Sequence, residues 1–87
     1  MPNETIEIGR VLNDKTKDPV CIVTLTSPED PDAKAGMPPM INISSGHVLP
    51  VFAERVARLL VEASDRSAEL WPDWAKRLIQ LTNGPST

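Results

Sequence analysis

The positions of nine prolines restrict which regular elements this sequence can form. Proline removes a backbone donor and restricts the residue before it, so it starts an element more readily than it continues one. Four of the nine lie in residues 27–39, SPEDPDAKAGMPP, a segment that can extend neither a strand nor a helix. This segment is predicted to be a long loop, and loops of that length in a small domain are often functional.

Three segments have the patterns of β-strands. Residues 5–12, TIEIGRVL, alternate isoleucine with polar or small residues, which is typical of a half-buried strand. Residues 19–26, PVCIVTLT, form a continuous apolar and β-branched run, which indicates a central strand or one covered on both faces. The first two segments are predicted to pair as a hairpin. After the loop, residues 40–44, MINIS, predict a third short strand with Ile41 and Ile43 on one side.

The hydrophobic period then changes to that of a helix. A first helix is predicted over about residues 48–66, and its end lies between Ala63 and Leu70 because Pro72 disfavours helical angles at Trp71. Its predicted buried stripe consists of Leu49, Phe52, Ala53, Val56, Leu59, Leu60 and Ala63.

A second helix is predicted over about residues 72–82. Pro72 fits its first turn, Asp73 places a carboxylate near its positive end, and NGP at residues 83–85 ends it. Its predicted buried stripe consists of Trp74, Ala75, Leu78 and Leu81 or Thr82. The order β-β-β-α-α predicts one α+β domain over residues 1–87, with a three-stranded antiparallel sheet and two C-terminal helices packed on one face. The second helix could pack on its own sheet or on another copy.

Length and charge narrow the classes of partner. A chain of 87 residues has little stability to spare, which favours a homodimer. The net charge is -3 and the basic residues are scattered along the sequence, so direct nucleic-acid binding is not expected. The sequence has no signal-peptide pattern and no run of about 18 apolar residues, so the protein is predicted to be soluble and cytoplasmic, without membrane contact.

Metal and thiol chemistry have little support in the sequence. Cys21 is the only cysteine and lies in an apolar run, where a small buried hydrophobic residue is the preferred interpretation. Together with His47, the only histidine, it falls short of the three or four ligands of a zinc site. Glu29, Asp30 and Asp32 could attract calcium, but the EF-hand spacing is missing, and a solvated acidic loop is preferred. No metal or cofactor is predicted.

The segment SSGH joins the third strand to the first helix. A Ser/His active site would need an orienting acid, and neither a flanking acid nor a GxSxG elbow is present. The hydroxyls of Ser44 and Ser45, with His47 and the helix N-terminus, could instead hold an anion. The preferred interpretation is a structural turn, with the helix cap near His47 or Val48.

These exclusions leave a protein that acts by binding another protein. The candidate contact residues are Glu29, Asp30, Asp32, Trp71, Asp73 and Trp74. The acidic loop could engage a basic groove, and such binding weakens with salt. The two tryptophans could be either core anchors or binding hot spots.

The leading prediction is a small non-enzymatic protein-protein interaction module. It would be of the kind that phages and mobile elements use as accessory proteins to inhibit or adapt host protein complexes. Two alternatives stay open. One is a small ligand-binding domain or enzyme that uses the turn formed by residues 44–47, and the other is a structural subunit that pairs through an exposed strand edge.

Overall fold

The computed structural model describes residues 4–83, and side chains for residues 4–81. It contains an antiparallel sheet followed by two helices, which confirms the predicted α+β class. The elements are β1 (Thr5–Leu12), β2 (Pro19–Thr26), β3 (Met40–Ile43), a short 3-10 turn (Pro50–Phe52), α1 (Ala53–Leu70) and α2 (Pro72–Asn83). The helix stop predicted at residues 83–85 extends past the described residues, and the side chain of Thr82 also lies outside them.

The hairpin between β1 and β2 turns through residues 13–18. The side-chain Oδ1 of Asn13 accepts hydrogen bonds from the N–H groups of Lys15 and Thr16, at 2.8 and 3.1 Å. Lys17 adopts a φ of 66°, and its N–H closes the turn on the carbonyl of Asn13 at 2.8 Å. An asparagine that bonds its own following backbone is a common way to start a turn, because it replaces ladder bonds that the reversing chain cannot make.

β2 is the central strand and supplies the middle of the core. Cys21, Val23 and Leu25 alternate along it and are fully buried on the face that carries the helices. Ile22 and Thr24 point to the opposite face and are half-buried. The continuous apolar run therefore corresponds to a strand with a neighbour on each side rather than to one buried on both faces.

β1 does not keep the simple alternation that its sequence predicts. Its pairing with β2 shifts between Glu7 and Gly9, so Ile8 has no partner across the ladder. Such a bulge bends the strand and changes which residues face the core. Gly9 lies against the helix layer, because a Cβ there would be 2.6 Å from Cδ2 of Leu59. The absence of a side chain lets α1 pack directly against β1.

The first helix begins later than predicted and ends at Leu70, within the predicted range of Ala63 to Leu70. The chain enters it through the 3-10 turn that starts at Pro50, and Leu49 precedes that turn without a side-chain cap. The cap of this entry turn is therefore Leu49, one residue after the predicted position near His47 or Val48. Leu49 and Ala53 belong to the predicted buried stripe, but both are exposed, because the chain enters the helix through a 3-10 turn that does not follow the 3.6-residue period.

The remaining stripe of α1 packs on the sheet as predicted. Buried residues from both layers form the core, namely Val11, Cys21, Val23, Phe52, Val56 and Ala63, with Ile8, Val20, Val48, Leu59 and Leu60 packed against them. On the outer face of α1, Glu54 and Arg58 lie four residues apart and form an exposed ion pair at 2.7 Å.

Trp71 separates the two helices. Its N–H donates to the carbonyl of Ser67 at 2.8 Å and ends α1, while its own carbonyl accepts from the N–H of Ala75 at 3.1 Å and begins α2. Its φ and ψ of -133° and 70° are not helical, as expected for a residue before proline. α2 packs mainly on α1, and Leu81, a predicted core residue, is exposed on the last described turn. Neither described helix combines the length and the apolar character needed to cross a membrane.

Candidate protein-binding site

The long loop between β2 and β3 is attached to α2 by a buried tryptophan. Trp74 lies in the first turns of α2 with only 2% of its surface exposed. Its indole Nε1 donates a hydrogen bond to the backbone carbonyl of Asp30, in the middle of the loop. Buried Trp usually finds such a partner for its N–H group. Trp74 is therefore a core residue that also holds the loop, and its side chain is not available to a partner.

Arg77, one turn further along α2, makes a second attachment. Its Nη1 donates to the carbonyl of Ala33 at 2.6 Å. Its guanidinium also lies over the ring of Trp74, 4.9 Å from the centroid, where the electron-rich face attracts a cation. Two neighbouring side chains of α2 thus donate hydrogen bonds to two backbone carbonyls of the loop. We call this loop, residues 27–39, the braced loop.

The braced loop is also closed on itself. Glu29 donates its N–H to the carbonyl of Met37 at 3.0 Å, and its Oε2 accepts from the N–H of Met37 at 3.3 Å. Gly36 permits this closure, because its φ is 88° and a Cβ there would meet the Glu29 side chain at 2.8 Å. The carboxylate of Asp30 accepts from the N–H of Asp32 at 3.0 Å. Glu29 and Asp30 therefore shape the loop, which limits their role as direct contacts.

The remaining candidate residues lie at the surface near this attachment. Asp32 and Asp73 are exposed, and Trp71 is half-buried beside the start of α2. Within residues 4–83, neither aspartate takes part in an ion pair. Of the six predicted contact residues, Asp30 and Trp74 build the site, and Asp32 and Asp73 are exposed on it. Glu29 is exposed but its carboxylate helps to close the loop, and Trp71 is half-buried.

The hydrogen bonds described for the SSGH turn, residues 44–47, are structural. Ser44 extends the ladder past the end of β3, since its N–H donates to the carbonyl of Ile22 at 3.0 Å and its Oγ accepts from the N–H of Ile22 at 2.9 Å. The Oγ of Ser45 is buried without a hydrogen-bond partner among the described residues, and His47 is exposed. No described hydrogen bond joins His47 to either serine. The anion site and the active site at this turn stay predictions.

A cleft of about 430 Å³ lies beside the hairpin turn between β1 and β2. Four cationic side chains line it, namely Arg10, Lys17, Arg55 and Arg58. The sequence did not predict this grouping, because the four residues come from two separate elements and a turn. The three arginines are each paired with a carboxylate, Glu7 at 2.6 Å, Asp14 at 3.1 Å and Glu54 at 2.7 Å. The pairing offsets most of the positive charge of this cleft.

The pair between Asp14 and Arg55 links the hairpin turn to α1. Two bonds of 3.1 and 3.3 Å join the carboxylate to the guanidinium, and that hydrogen bonding together with the positive charge lowers the pKa of Asp14. A carboxylate with a lowered folded-state pKa stabilises the fold above its unfolded-state pKa of about 3.9, and this contribution disappears as the pH falls through the folded-state value.

We expect Asp14→Asn to lower the urea midpoint slightly at neutral pH, because exposed ion pairs are screened by water and salt. The difference from the wild type should shrink below about pH 4 and vanish once the pH lies below the lowered folded-state pKa, where the carboxyl group is protonated in both states. Urea titrations at four pH values would measure it, with Asp18→Asn in the same turn as the control. A difference that is independent of pH would contradict this account.

A second groove lies between β3 and the helices. It measures about 280 Å³ and is lined by Leu25, Pro39, Ile41, Ser64, Ser67, Ala68, Ala75, Leu78 and Ile79. α1 lies over β1 and β2, so the helix-facing side chains of β3 are covered incompletely. Ile41 and Ile43 keep 37% and 39% of their surface exposed.

The chain matches no protein-family model, and no curated protein or solved structure is detectably similar to it. Within the described residues, no group of three His, Cys, Asp or Glu side chains is arranged to hold a metal ion. Sequence reasoning missed Arg77 as part of the site. The spacing of three between Trp74 and Arg77 on a predicted helix was the available signal, whereas the backbone carbonyls that they bind have no signature in the sequence.

Proposed function

We propose that this protein acts without catalysis, by binding another protein through the braced loop and the first turn of α2. The partner surface is basic. The observation that carries the proposal is that α2 holds the loop by two side-chain bonds to its backbone while Asp32 and Asp73 are left exposed and without ion pairs. Phage or mobile-element origin stays a prediction from size and composition.

Fixing the loop in advance favours binding. Ordering one residue costs roughly 1 to 2 kcal/mol of backbone entropy, so a free loop of this length would lose much of its binding energy when it became ordered. Here folding itself orders the loop, through Trp74, Arg77 and the closure between Glu29 and Met37. A partner that contacts the exposed face of the loop would meet a preformed surface.

The distribution of charge supports a basic partner. All three described ion pairs use arginines outside the braced loop and α2. The braced loop contains three acids and one lysine, and Asp73 adds a carboxylate at the start of α2. Carboxylates without paired cations attract a basic surface from a distance, and this steering is screened over about 8 to 10 Å at physiological salt.

A charge-matched pair of variants tests the proposal. Wild-type protein is immobilised beside Asp32→Asn/Asp73→Asn and beside Asp18→Asn/Glu62→Gln, which removes the same charge from exposed positions outside the braced loop and α2. Lysate is passed over all three at low and moderate salt, and the bound proteins are quantified by mass spectrometry.

We expect one stoichiometric partner on the wild type and on the control, held less well at higher salt. Binding to Asp32→Asn/Asp73→Asn should be about tenfold weaker, because two charges near the contact are lost. The proposal fails if no partner is retained at any salt concentration, or if the loop variant binds as well as the control.

A further inference from the structure

We propose that β3 is a self-association edge, at which a second copy of this chain pairs antiparallel about a two-fold axis at Asn42. The six strands of the two copies then form one sheet. This inference concerns a different surface from the proposed function and does not depend on it.

The backbone of β3 presents a self-complementary set of donors and acceptors. In an antiparallel ladder, successive residues direct their N–H and C=O groups to alternate sides. The bond from Ser44 N–H to the carbonyl of Ile22 fixes these directions. The backbone N–H and C=O groups of Asn42 point to β2, and those of Ile41 and Ile43 point to the free edge. With Asn42 opposite its own copy, Ile41 of each chain lies opposite Ile43 of the other. The two pairs then exchange four backbone hydrogen bonds.

The two edges of the sheet differ in their protection. Natural proteins guard exposed strand edges with charged side chains, bulges or prolines. β1 has both a charged pair, Glu7 with Arg10, and a bulge at Ile8. β3 has no charge, bulge or proline between Met40 and Ile43, where its pairing with β2 is regular, and Pro38 and Pro39 lie just before its first residue. The unprotected edge is therefore the one that lies beside the apolar groove.

The charge of the segment favours a second copy over a different partner. In a two-fold interface each residue meets the same surface patch of the other chain, so a charged strand would place like charges together. Between Lys34 and Glu54 the sequence has no Asp, Glu, Lys or Arg. Neutrality over the whole of β3 and its flanks removes this repulsion, and it also leaves no charge with which to select a charged peptide.

The side chains agree with the same pairing. The side chains of Ile41 and Ile43 project to the helix-facing side of the sheet. There Ile41 of each chain would contact Ile43 of the other and extend the apolar wall of the groove lined by Leu25 and Ile79. On the opposite side Asn42 donates through Nδ2 to Oγ1 of Thr26 at 2.7 Å, which orients its amide. The oriented amide can then bond to the amide of Asn42 in the second copy. Burial of two half-exposed isoleucines per chain would add apolar area to a small core.

Sedimentation equilibrium and hydrogen exchange on the wild type give the first test. We expect a concentration-dependent dimer and no larger species, because a two-fold interface is closed. In the dimer, the N–H groups of Ile41 and Ile43 should exchange more slowly as concentration rises, whereas that of Asn42 is protected at all concentrations by β2. A chain that stays monomeric at millimolar concentration leaves this edge to another occupant and overturns the proposal.

A charge exchange at the axis gives the second test. Asn42→Lys and Asn42→Asp each place two like charges opposite one another and should weaken the dimer about tenfold or more. An equimolar mixture should restore it as a heterodimer, because lysine then faces aspartate. Thr5→Lys and Thr5→Asp, at the exposed start of β1, are the matched controls and should dimerise like the wild type.

Circular dichroism of each variant separates loss of pairing from loss of folding. The mixture resolves the remaining ambiguity, since two misfolded chains would not regain a dimer on mixing. Dimers that persist in both single variants, or a mixture that remains monomeric, would place the interface elsewhere and refute pairing at Asn42.

Discussion

Replacing Trp74 by alanine should reduce the free energy of unfolding by about 3 to 5 kcal/mol. The side chain is almost completely buried, and its removal leaves a large cavity. The loss also removes the bond to the Asp30 carbonyl and the ring on which Arg77 rests. A domain whose total stability is about 5 to 15 kcal/mol would lose much of it, and the braced loop would lose its main attachment.

Two further variants distinguish packing from loop attachment. Trp74→Phe keeps most of the ring and loses the N–H donor, so it should cost about 1 to 3 kcal/mol. Trp71→Ala is the matched control, because Trp71 is half-buried and lies at the junction of α1 and α2. Urea unfolding followed by circular dichroism measures all three. A Trp74→Ala variant within about 1 kcal/mol of the wild type would show that the indole is not a core residue.

Replacing Leu25 by alanine should cost about 2 to 5 kcal/mol. Leu25 is fully buried on the central strand, opposite Ile6 of β1 on one side and Ile41 of β3 on the other. A central strand is fixed by hydrogen bonds along both edges, so it cannot move to fill the space that the shorter side chain leaves. The cost is therefore a cavity as well as a loss of apolar burial.

Leu49→Ala is the control for this substitution. The same chemical change removes a side chain that is 65% exposed before the 3-10 turn, so the free energy of unfolding should change by no more than about 0.5 kcal/mol. Helical periodicity placed Leu49 on the buried stripe, so the pair of variants also tests sequence pattern against structure. Equal losses at the two positions would contradict the placement of Leu49 outside the core.

The fold class could be predicted because each half of the chain repeats one pattern. The β-branched run of residues 19–26 forms the central strand, and the helical stripe from Phe52 to Ala63 packs on the sheet. The observed burial differs from the predicted burial where the backbone leaves the regular period of a strand or helix. The bulge at Ile8 and the 3-10 turn at Pro50 each shift the side chains around them, and neither shift is visible in an alternation of apolar and polar residues.

The candidate site could be predicted only in part. Acidic and aromatic composition pointed to the loop and to the start of α2, and the structure brings these two segments into contact. Which of those residues are exposed depends on hydrogen bonds to backbone carbonyls. Every residue has a backbone carbonyl, so the residue types do not indicate which carbonyl is bound. The sequence therefore suggested a surface without separating Asp32, which is exposed on it, from Trp74, which is buried beneath it.

The position of Cys21 makes its thiol a natural reporter of the separation of α1 from the sheet. Its side chain has no exposed surface, and it sits on the central strand beneath α1. A reagent that modifies thiols can reach it only when the helix layer separates from the sheet, so the rate of alkylation measures how often that separation occurs. Because the chain has a single cysteine, every modified molecule records one opening at one known place, with no engineered label.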